Sequence, residues 1–217
     1  MSEQSTQITD RHFEYIAERT IREDAFLAAL KDAADSEGIP RIWIAPEQAA
    51  LMRILLRSTG AKRVVEVGTL AGYSAITMAR ALPPDGHVTT IEISEKHAEF
   101  ARRWIARSDV AGKIDVIVGA GTDVLPTLND DSADAAFLDA DKASYPDYVT
   151  ESVRIVRRGG LIMVDNAFAF GQLFDEAPTD PEAPAVKAFN EIIASDARLE
   201  SVIVPMGDGL WVCVNRV

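Results

Sequence analysis

The sequence is poor in the residues that build covalent cross-links and zinc sites. It has one cysteine, Cys213, among 217 residues. A single cysteine excludes an internal disulfide and fits a reducing compartment, although a secreted protein without disulfides would show the same count. The three histidines, His12, His87 and His97, stand apart from the motifs described below and are interpreted as surface or structural residues. The sequence therefore argues against a zinc site.

Basic residues and long apolar runs are also scarce. Lys and Arg number 22 against 34 Asp and Glu, which gives a formal net charge of −12. That balance argues against a nucleic-acid partner, because phosphate binding requires a basic surface. No segment approaches the roughly 20 apolar residues of a membrane span, and the polar start MSEQSTQITD lacks the apolar stretch of a signal peptide. We therefore expect a cytoplasmic protein without a membrane partner.

From residue 61 onward, short apolar runs alternate with amphipathic stretches. The runs are β-branched and do not alternate strictly with polar residues, which is typical of strands buried on both faces. Strand–helix alternation indicates an α/β fold with a doubly wound parallel sheet. We predict one domain over 1–217, with an N-terminal helical extension over 1–60 and an α/β core over 61–217. Strands are predicted at 63–67, 88–93, 114–118, 135–139 and 160–165, and helices at 9–20, 22–35, 46–58, 72–82, 95–108, 121–129, 145–157 and 183–196.

The C-terminal residues break this alternation. ESVIVP (200–205) and GLWVCVN (209–215) flank the turn-rich MGDG, which predicts a hairpin whose last strand is antiparallel to the rest. The predicted architecture is therefore a seven-stranded, mostly parallel sheet of the Rossmann-like type. The acidic, proline-rich segment 171–184 is predicted to be an exposed loop.

The segment VVEVGTLAGYSAITMAR (64–80) places a strand, a glycine turn and a helix in the order of a nucleotide-type cofactor loop. Gly68 permits a tight turn where a side chain would collide with a ligand. The spacing is not the G-x-G-x-x-G of a dinucleotide site, and Glu66 would repel a pyrophosphate. Both features favour a positively charged cofactor such as S-adenosylmethionine. Glu92, at the end of the second strand, could accept hydrogen bonds from ribose hydroxyls; the alternative is an ordinary α/β turn with an exposed glutamate.

Oxygen-bearing side chains follow two further strands. Asp139 ends the fourth strand in FLDADK, and Asp165 and Asn166 end the fifth in MVDN. Because the carboxyl ends of neighbouring parallel strands form a ligand crevice, we expect these three side chains to converge. Two carboxylates and an amide oxygen suit Mg²⁺, Mn²⁺ or Ca²⁺. The alternative for either aspartate alone is capping of a loop or helix start, and Asp141 is interpreted as a loop residue outside the ligand set.

The run FLDADKASYPDYVTESVRIVRRGGLIMVDNAFAFG (137–171) resembles the cation-dependent O-methyltransferases, the family of catechol and caffeoyl-coenzyme A O-methyltransferases, and 64–80 resembles their cofactor motif. The resemblance implies a class I methyltransferase fold with S-adenosylmethionine as the methyl donor. It implies metal ligation by Asp139, Asp165 and Asn166, and a general base at Lys142. The chain departs from the family pattern after the DN pair, where it has AFAFG, so the resemblance leaves the acceptor open. Cofactor contacts are implied at Glu66, Gly68, Thr69, Ser74, Glu92, Ala120 and Asp139.

These features together predict an O-methyltransferase for a small, catechol-like phenolic substrate. A cation that bound two vicinal oxygens would lower the pKa of the acceptor hydroxyls, and Lys142 would take the proton. The alternative for Lys142 is a solvated lysine or an ion-pair partner of Asp141. Competing functions are methylation of a hydroxylated uridine in tRNA, a binding module without catalysis, and a nicotinamide-dependent dehydrogenase. The net charge counts against the first of these, and the missing G-x-G-x-x-G counts against the last.

The aromatic residues near these motifs are assigned mainly to packing. Trp43 could form an acceptor wall, but a core or oligomer interface is favoured. Tyr145 and Tyr148 are interpreted as helix packing. Relatives of this type commonly form dimers, so we expect a homodimer in which part of 8–45 lies at the interface or the acceptor pocket.

Overall fold

The computed structural model describes Thr6 and residues 8–217. Over these residues the chain alternates strands and helices after an all-helical start, as the sequence predicts. The helices are α1 (Asp10–Arg19), α2 (Ala25–Ser36), α3 (Pro46–Ser58), α4 (Tyr73–Ala79), α5 (Glu95–Ile105), α6 (Gly121–Val124), α7 (Tyr145–Ile155) and α8 (Ala183–Ser195). The strands are β1 (Arg63–Val67), β2 (His87–Glu92), β3 (Ile114–Val118), β4 (Ala133–Leu138), β5 (Val156–Val164), β6 (Leu199–Val204) and β7 (Leu210–Asn215).

The strands form one seven-stranded sheet in the order β3-β2-β1-β4-β5-β7-β6. Strands β1 to β5 pair in parallel, whereas β7 is antiparallel to both β5 and β6. Val67 pairs with Leu138, and Leu138 pairs with Val164, so β1, β4 and β5 end side by side. The predicted seven-stranded, mostly parallel sheet with an antiparallel last strand is confirmed.

Helices cover both faces of the sheet, which explains why its strands are apolar on both sides. One core cluster places α2 to α5 against the sheet and includes the fully buried Leu30, Met52, Ile76 and Phe100. The opposite cluster places α7 and α8 against the other face. Within the N-terminal extension, α2 and α3 contribute buried side chains to the first cluster, whereas α1 buries none. None of the helices in the described part of the chain is long and apolar enough to span a bilayer.

Most predicted bounds differ from the observed ones by at most three residues, and two differ by more for identifiable reasons. β5 begins at Val156 rather than at 160, because Val156 already pairs with Ala133 of β4. The register then shifts, so that Ala135 pairs with Leu161. The helix predicted over 121–129 ends at Val124 and continues as a single 3₁₀ turn over Leu125–Thr127. Pro126 lies in that turn, where its missing N–H prevents the helix from continuing.

Candidate active site

Loops at the carboxyl ends of β1, β2, β4 and β5 meet at one edge of the sheet. Backbone hydrogen bonds continue the sheet pattern beyond the strands: the Gly68 N–H donates to Ile91, that of Asp139 to Val67, and that of Asp165 to Leu138, at 2.9–3.0 Å. Each of these loop residues is therefore fixed by the neighbouring strand. This is the position at which open α/β sheets bind ligands.

Gly68 is the point of closest approach between two of these loops. Its φ of +102° lies in a region that L side chains rarely adopt, and a Cβ built on it would lie 1.9 Å from the carbonyl oxygen of Asp139. Only glycine allows both the turn and the contact. The turn after β1 and the loop after β4 consequently form one continuous floor.

A cavity of about 340 Å³ opens above this floor. Aliphatic and aromatic side chains, among them Trp43, Tyr73 and Ile91, form most of its wall. Trp43 is partly buried against the first core cluster and also borders the cavity. The prediction of a core position for Trp43 is therefore confirmed in part. The cavity wall includes six of the seven residues predicted to contact a cofactor: Gly68, Thr69, Ser74, Glu92, Ala120 and Asp139.

Glu92 is held with both carboxylate oxygens engaged. The backbone N–H of Leu70 donates to Oε2 at 2.8 Å, and that of Ser94 donates to Oε1 at 2.9 Å. His97 also lines the cavity, with Nδ1 3.6 Å from Oε1 of Glu92, so its interpretation as a residue remote from the motifs is wrong. The carboxylate is 7% exposed rather than displayed on an open turn. Its position at the cavity wall fits a hydrogen-bond acceptor for a sugar.

Glu66 is the predicted cofactor residue that the structure does not place on the cavity wall. It is completely buried beneath the glycine turn, where the hydroxyl of Thr90 donates to Oε2 at 2.5 Å. Its Oε1 has no hydrogen-bond partner among the described residues. Burial raises the pKa of Glu66 to about 8, against the opposing effect of the Ser74 and Thr90 hydroxyls. Glu66 is therefore a buried carboxyl under the turn, and its predicted contact with a cofactor stays a prediction.

Lys142 is buried, being only 4% exposed, and its ammonium lies between two polar groups. Nζ donates to Asp139 Oδ1 at 3.1 Å and to the hydroxyl of Tyr145 at 2.7 Å. The alternatives of a solvated lysine or an Asp141 partner are therefore wrong. Asp141 accepts instead from the hydroxyl of Tyr148, so both tyrosines make polar contacts at the site in addition to packing.

Asp165 and Asn166 follow β5 next to Asp139. Asp165 Oδ1 accepts a hydrogen bond from Nε2 of Gln48 at 2.6 Å. Asn166 adopts a φ of +64° and donates through Nδ2 to Asp208 at 3.1 Å, which leaves its amide oxygen directed elsewhere. Burial, followed by repulsion from Asp139, raises the pKa of Asp165 to about 7. Asp165 thus interacts electrostatically with Asp139 and directly precedes Asn166, and each of Asp165 and Asn166 is held by a residue from a distant element.

The chemistry of this donor set fits an oxygen-liganded cation. Asp139 and Asp165 repel one another in a largely buried position, and a bound cation would offset that repulsion. No group of three or more His, Cys, Asp or Glu residues gathers at one point in the part of the chain that the structure describes. The candidate set has two carboxylates and one amide, which favours Mg²⁺-type ions over ions that require imidazole or thiolate.

Gln48 and Asp208 are the contributors to this site that the sequence interpretation missed. Gln48 lies 117 positions before Asp165, and Asp208 lies 42 positions after Asn166. Asp208 also accepts from the backbone N–H groups of Phe170 and Gly171, so it fixes the loop after β5. The sequence contains one indication of the role of Gln48, namely a polar residue within an otherwise apolar helical face. It contains none for Asp208, because MGDG was interpreted only as a turn.

Comparison with known proteins gives a consistent result. A family model described as O-methyltransferase matches residues 17–216. A catechol O-methyltransferase of Niastella koreensis is 36% identical over 187 residues, covering 85% of this chain and 84% of that protein. The crystal structure of an O-methyltransferase from Bacillus cereus in complex with SAH superposes with a TM-score of 0.84 at 30% identity, covering 94% of this chain and 96% of that one. A second crystal structure is that of the O-methyltransferase TomG from Streptomyces achromogenes, involved in tomaymycin synthesis, in complex with SAM. It superposes with a TM-score of 0.83 at 31% identity and covers 100% of both chains.

Proposed function

The chain belongs to the family of S-adenosylmethionine-dependent O-methyltransferases, and we propose that it methylates one hydroxyl of a small catechol-like acceptor with the help of a divalent cation. The observation that carries the finer part of this proposal is the position of Lys142. Its Nζ contacts Asp139, which both lines the cavity and is one of the three candidate metal ligands. Lys142 would thus connect the cavity for the methyl donor with the site at which the acceptor hydroxyl loses its proton.

The cavity supports the donor assignment residue by residue. Glu92 would accept from the ribose hydroxyls, and the turn from Gly68 to Ser74 would surround the methionine end. Asp139 lies on the same wall and would attract the positive charge of the sulfonium and amine.

Asp139, Asp165 and Asn166 would hold the cation, which we take to be Mg²⁺, with Mn²⁺ and Ca²⁺ as alternatives. When bound, such an ion lowers the pKa of acceptor hydroxyls and orients them. A vicinal pair of oxygens is the acceptor geometry that gains most from it. The similarity to a protein named catechol O-methyltransferase supports this choice of substrate class.

Lys142 supplies the proton acceptor in this proposal. Methyl transfer forms an O–CH₃ bond and breaks the S–CH₃ bond, which leaves S-adenosylhomocysteine, and the acceptor's proton would pass to Nζ of Lys142 acting as general base. Tyr145 holds Nζ at 2.7 Å, so the amine is oriented before the acceptor arrives.

A pair of isomeric acceptors tests this function directly. With S-adenosylmethionine and Mg²⁺, the protein should methylate 1,2-dihydroxybenzene and lose that activity in a chelator, with recovery when Mg²⁺ is restored. The 1,3-isomer has the same hydroxyls but cannot present both oxygens to one ion, so its turnover should be far slower. Equal turnover of the two isomers, or full activity in the chelator, would refute the metal-assisted mechanism.

A further inference from the structure

Gln48 is a buried polar residue on α3, outside every motif that identifies the family. It is 1% exposed and shares its helix face with the apolar Ala49, Met52 and Leu56. A buried amide is costly unless it is hydrogen-bonded. Here Nε2 donates to Asp165 Oδ1 at 2.6 Å, across 117 positions of the chain.

The other end of the Gln48 amide is enclosed by the turn between β6 and β7. A Cβ built on Gly207 would lie 2.2 Å from Oε1 of Gln48. The Gln48 amide is therefore confined between the carboxylate of Asp165 and a glycine. Little room remains for the side chain to rotate away from Asp165.

We propose that Gln48, confined by the turn at Gly207, is a positioning residue that sets the orientation of Asp165 for the divalent cation. Without the Nε2 donor, the buried Asp165 Oδ1 would lose this partner, and the carboxylate would be less restrained about its Cβ–Cγ bond, with the backbone of Asn166 as its remaining donor. Residues that hydrogen-bond to metal ligands typically contribute roughly 10- to 100-fold to metal affinity. The inference rests on the proposed function, since it requires that Asp165 bind a metal.

The direct test replaces Gln48 with methionine, which has similar length but no donor. The free Mn²⁺ concentration, read from its electron paramagnetic resonance signal, gives the dissociation constant in the presence of saturating S-adenosylmethionine. We expect Gln48→Met to weaken Mn²⁺ binding by roughly 10- to 100-fold. Its affinity for S-adenosylmethionine should be unchanged, and its thermal unfolding should show a folded protein.

Two glycines provide a matched control for the confinement by the turn. Gly60 and Gly207 have φ of +64° and +60°, but a Cβ on Gly60 would meet nothing within 4 Å. Gly60→Ala therefore carries only the backbone strain and should leave Mn²⁺ affinity unaltered, whereas Gly207→Ala should reduce it by displacing Gln48. In the Gln48→Met background, Gly207→Ala should cause no further loss, because both changes act through one side chain.

The outcomes separate this inference from the proposed function. Wild-type protein that does not bind Mn²⁺ would overturn both. If the wild type binds and Gln48→Met binds equally well, the positioning role is refuted while the metal site stands. Additive losses in the double variant would contradict the confinement of Gln48 by Gly207.

Discussion

The side chain of Lys142 combines deep burial with two polar partners, Asp139 and Tyr145. Such a position favours a chemical role over a solvated one, because burial of a lysine is costly without a compensating use or partner. Lys142→Met keeps the length of the side chain and removes the amine. Loss of a general base should lower kcat by roughly 10²- to 10⁴-fold, with little change in the Kd for S-adenosylmethionine by calorimetry. The exposed Lys187→Met on α8 serves as the control, and a Lys142 effect confined to KM would exclude the base role.

Glu66 gives a second residue-level prediction, which concerns stability rather than turnover. Its pKa is about 8 in the fold against 4.5 for the ordinary side chain, so the unfolded chain releases this proton first as pH rises. The contribution of Glu66 to stability is therefore full below pH 4.5, falls between about 4.5 and 8, and is constant above. The slope in that window is about 1.4 kcal/mol per pH unit.

Glu66→Gln should remove this slope, so that the variant gains stability over the wild type as pH rises from 5 to 8. Urea unfolding at several pH values, without added cation, measures the effect. The exposed Glu99→Gln removes the same formal charge and should change stability little at any pH. Parallel pH curves for Glu66→Gln and the wild type would show that Glu66 is not neutral in the fold.

At the scale of secondary-structure elements, the site depends on how closely two loops approach. Gly68→Ala would force a Cβ against the backbone carbonyl of Asp139, and backbone cannot move aside as a flexible side chain can. We expect a loss of roughly 3 kcal/mol or more in the free energy of unfolding. Gly60→Ala is the control, because Gly60 also has a positive φ and a Cβ there meets nothing within 4 Å. Similar unfolding midpoints in urea for the two variants would contradict this account of the glycine turn.

At the scale of the whole molecule, α1 stands out because it buries no residue. Phe13 is 37% exposed, and Ile8 and Ile21 beside the helix are 42% and 75% exposed. We predict that the protein is a homodimer in which a second copy covers these side chains. Light scattering should give twice the monomer mass, and Phe13→Glu with Ile21→Glu should yield monomers. Ile192→Glu on α8 is the control. If this variant is monomeric and the α1 variant remains a dimer, the interface lies elsewhere.

The strand pattern alone determined the class of fold and the edge at which ligands bind. Apolar runs at 63–67 and 135–139 had to be buried on both faces, and parallel strands bring their carboxyl ends together. Asp139, Asp165 and Asn166 could therefore be placed from position in the chain. Gly68 could be identified because a turn directly after a strand restricts backbone geometry locally.

Only the tertiary structure decided which way each side chain points and what it contacts. The partner of Asp165 is Gln48 on a helix at the other end of the chain, and that of Asn166 is Asp208 in a hairpin turn. Glu66 lies in the motif yet is completely buried against Thr90, and Lys142 pairs with Asp139 rather than Asp141. Local sequence sets backbone periodicity, whereas these contacts depend on the packing of helices and turns that are distant in the chain.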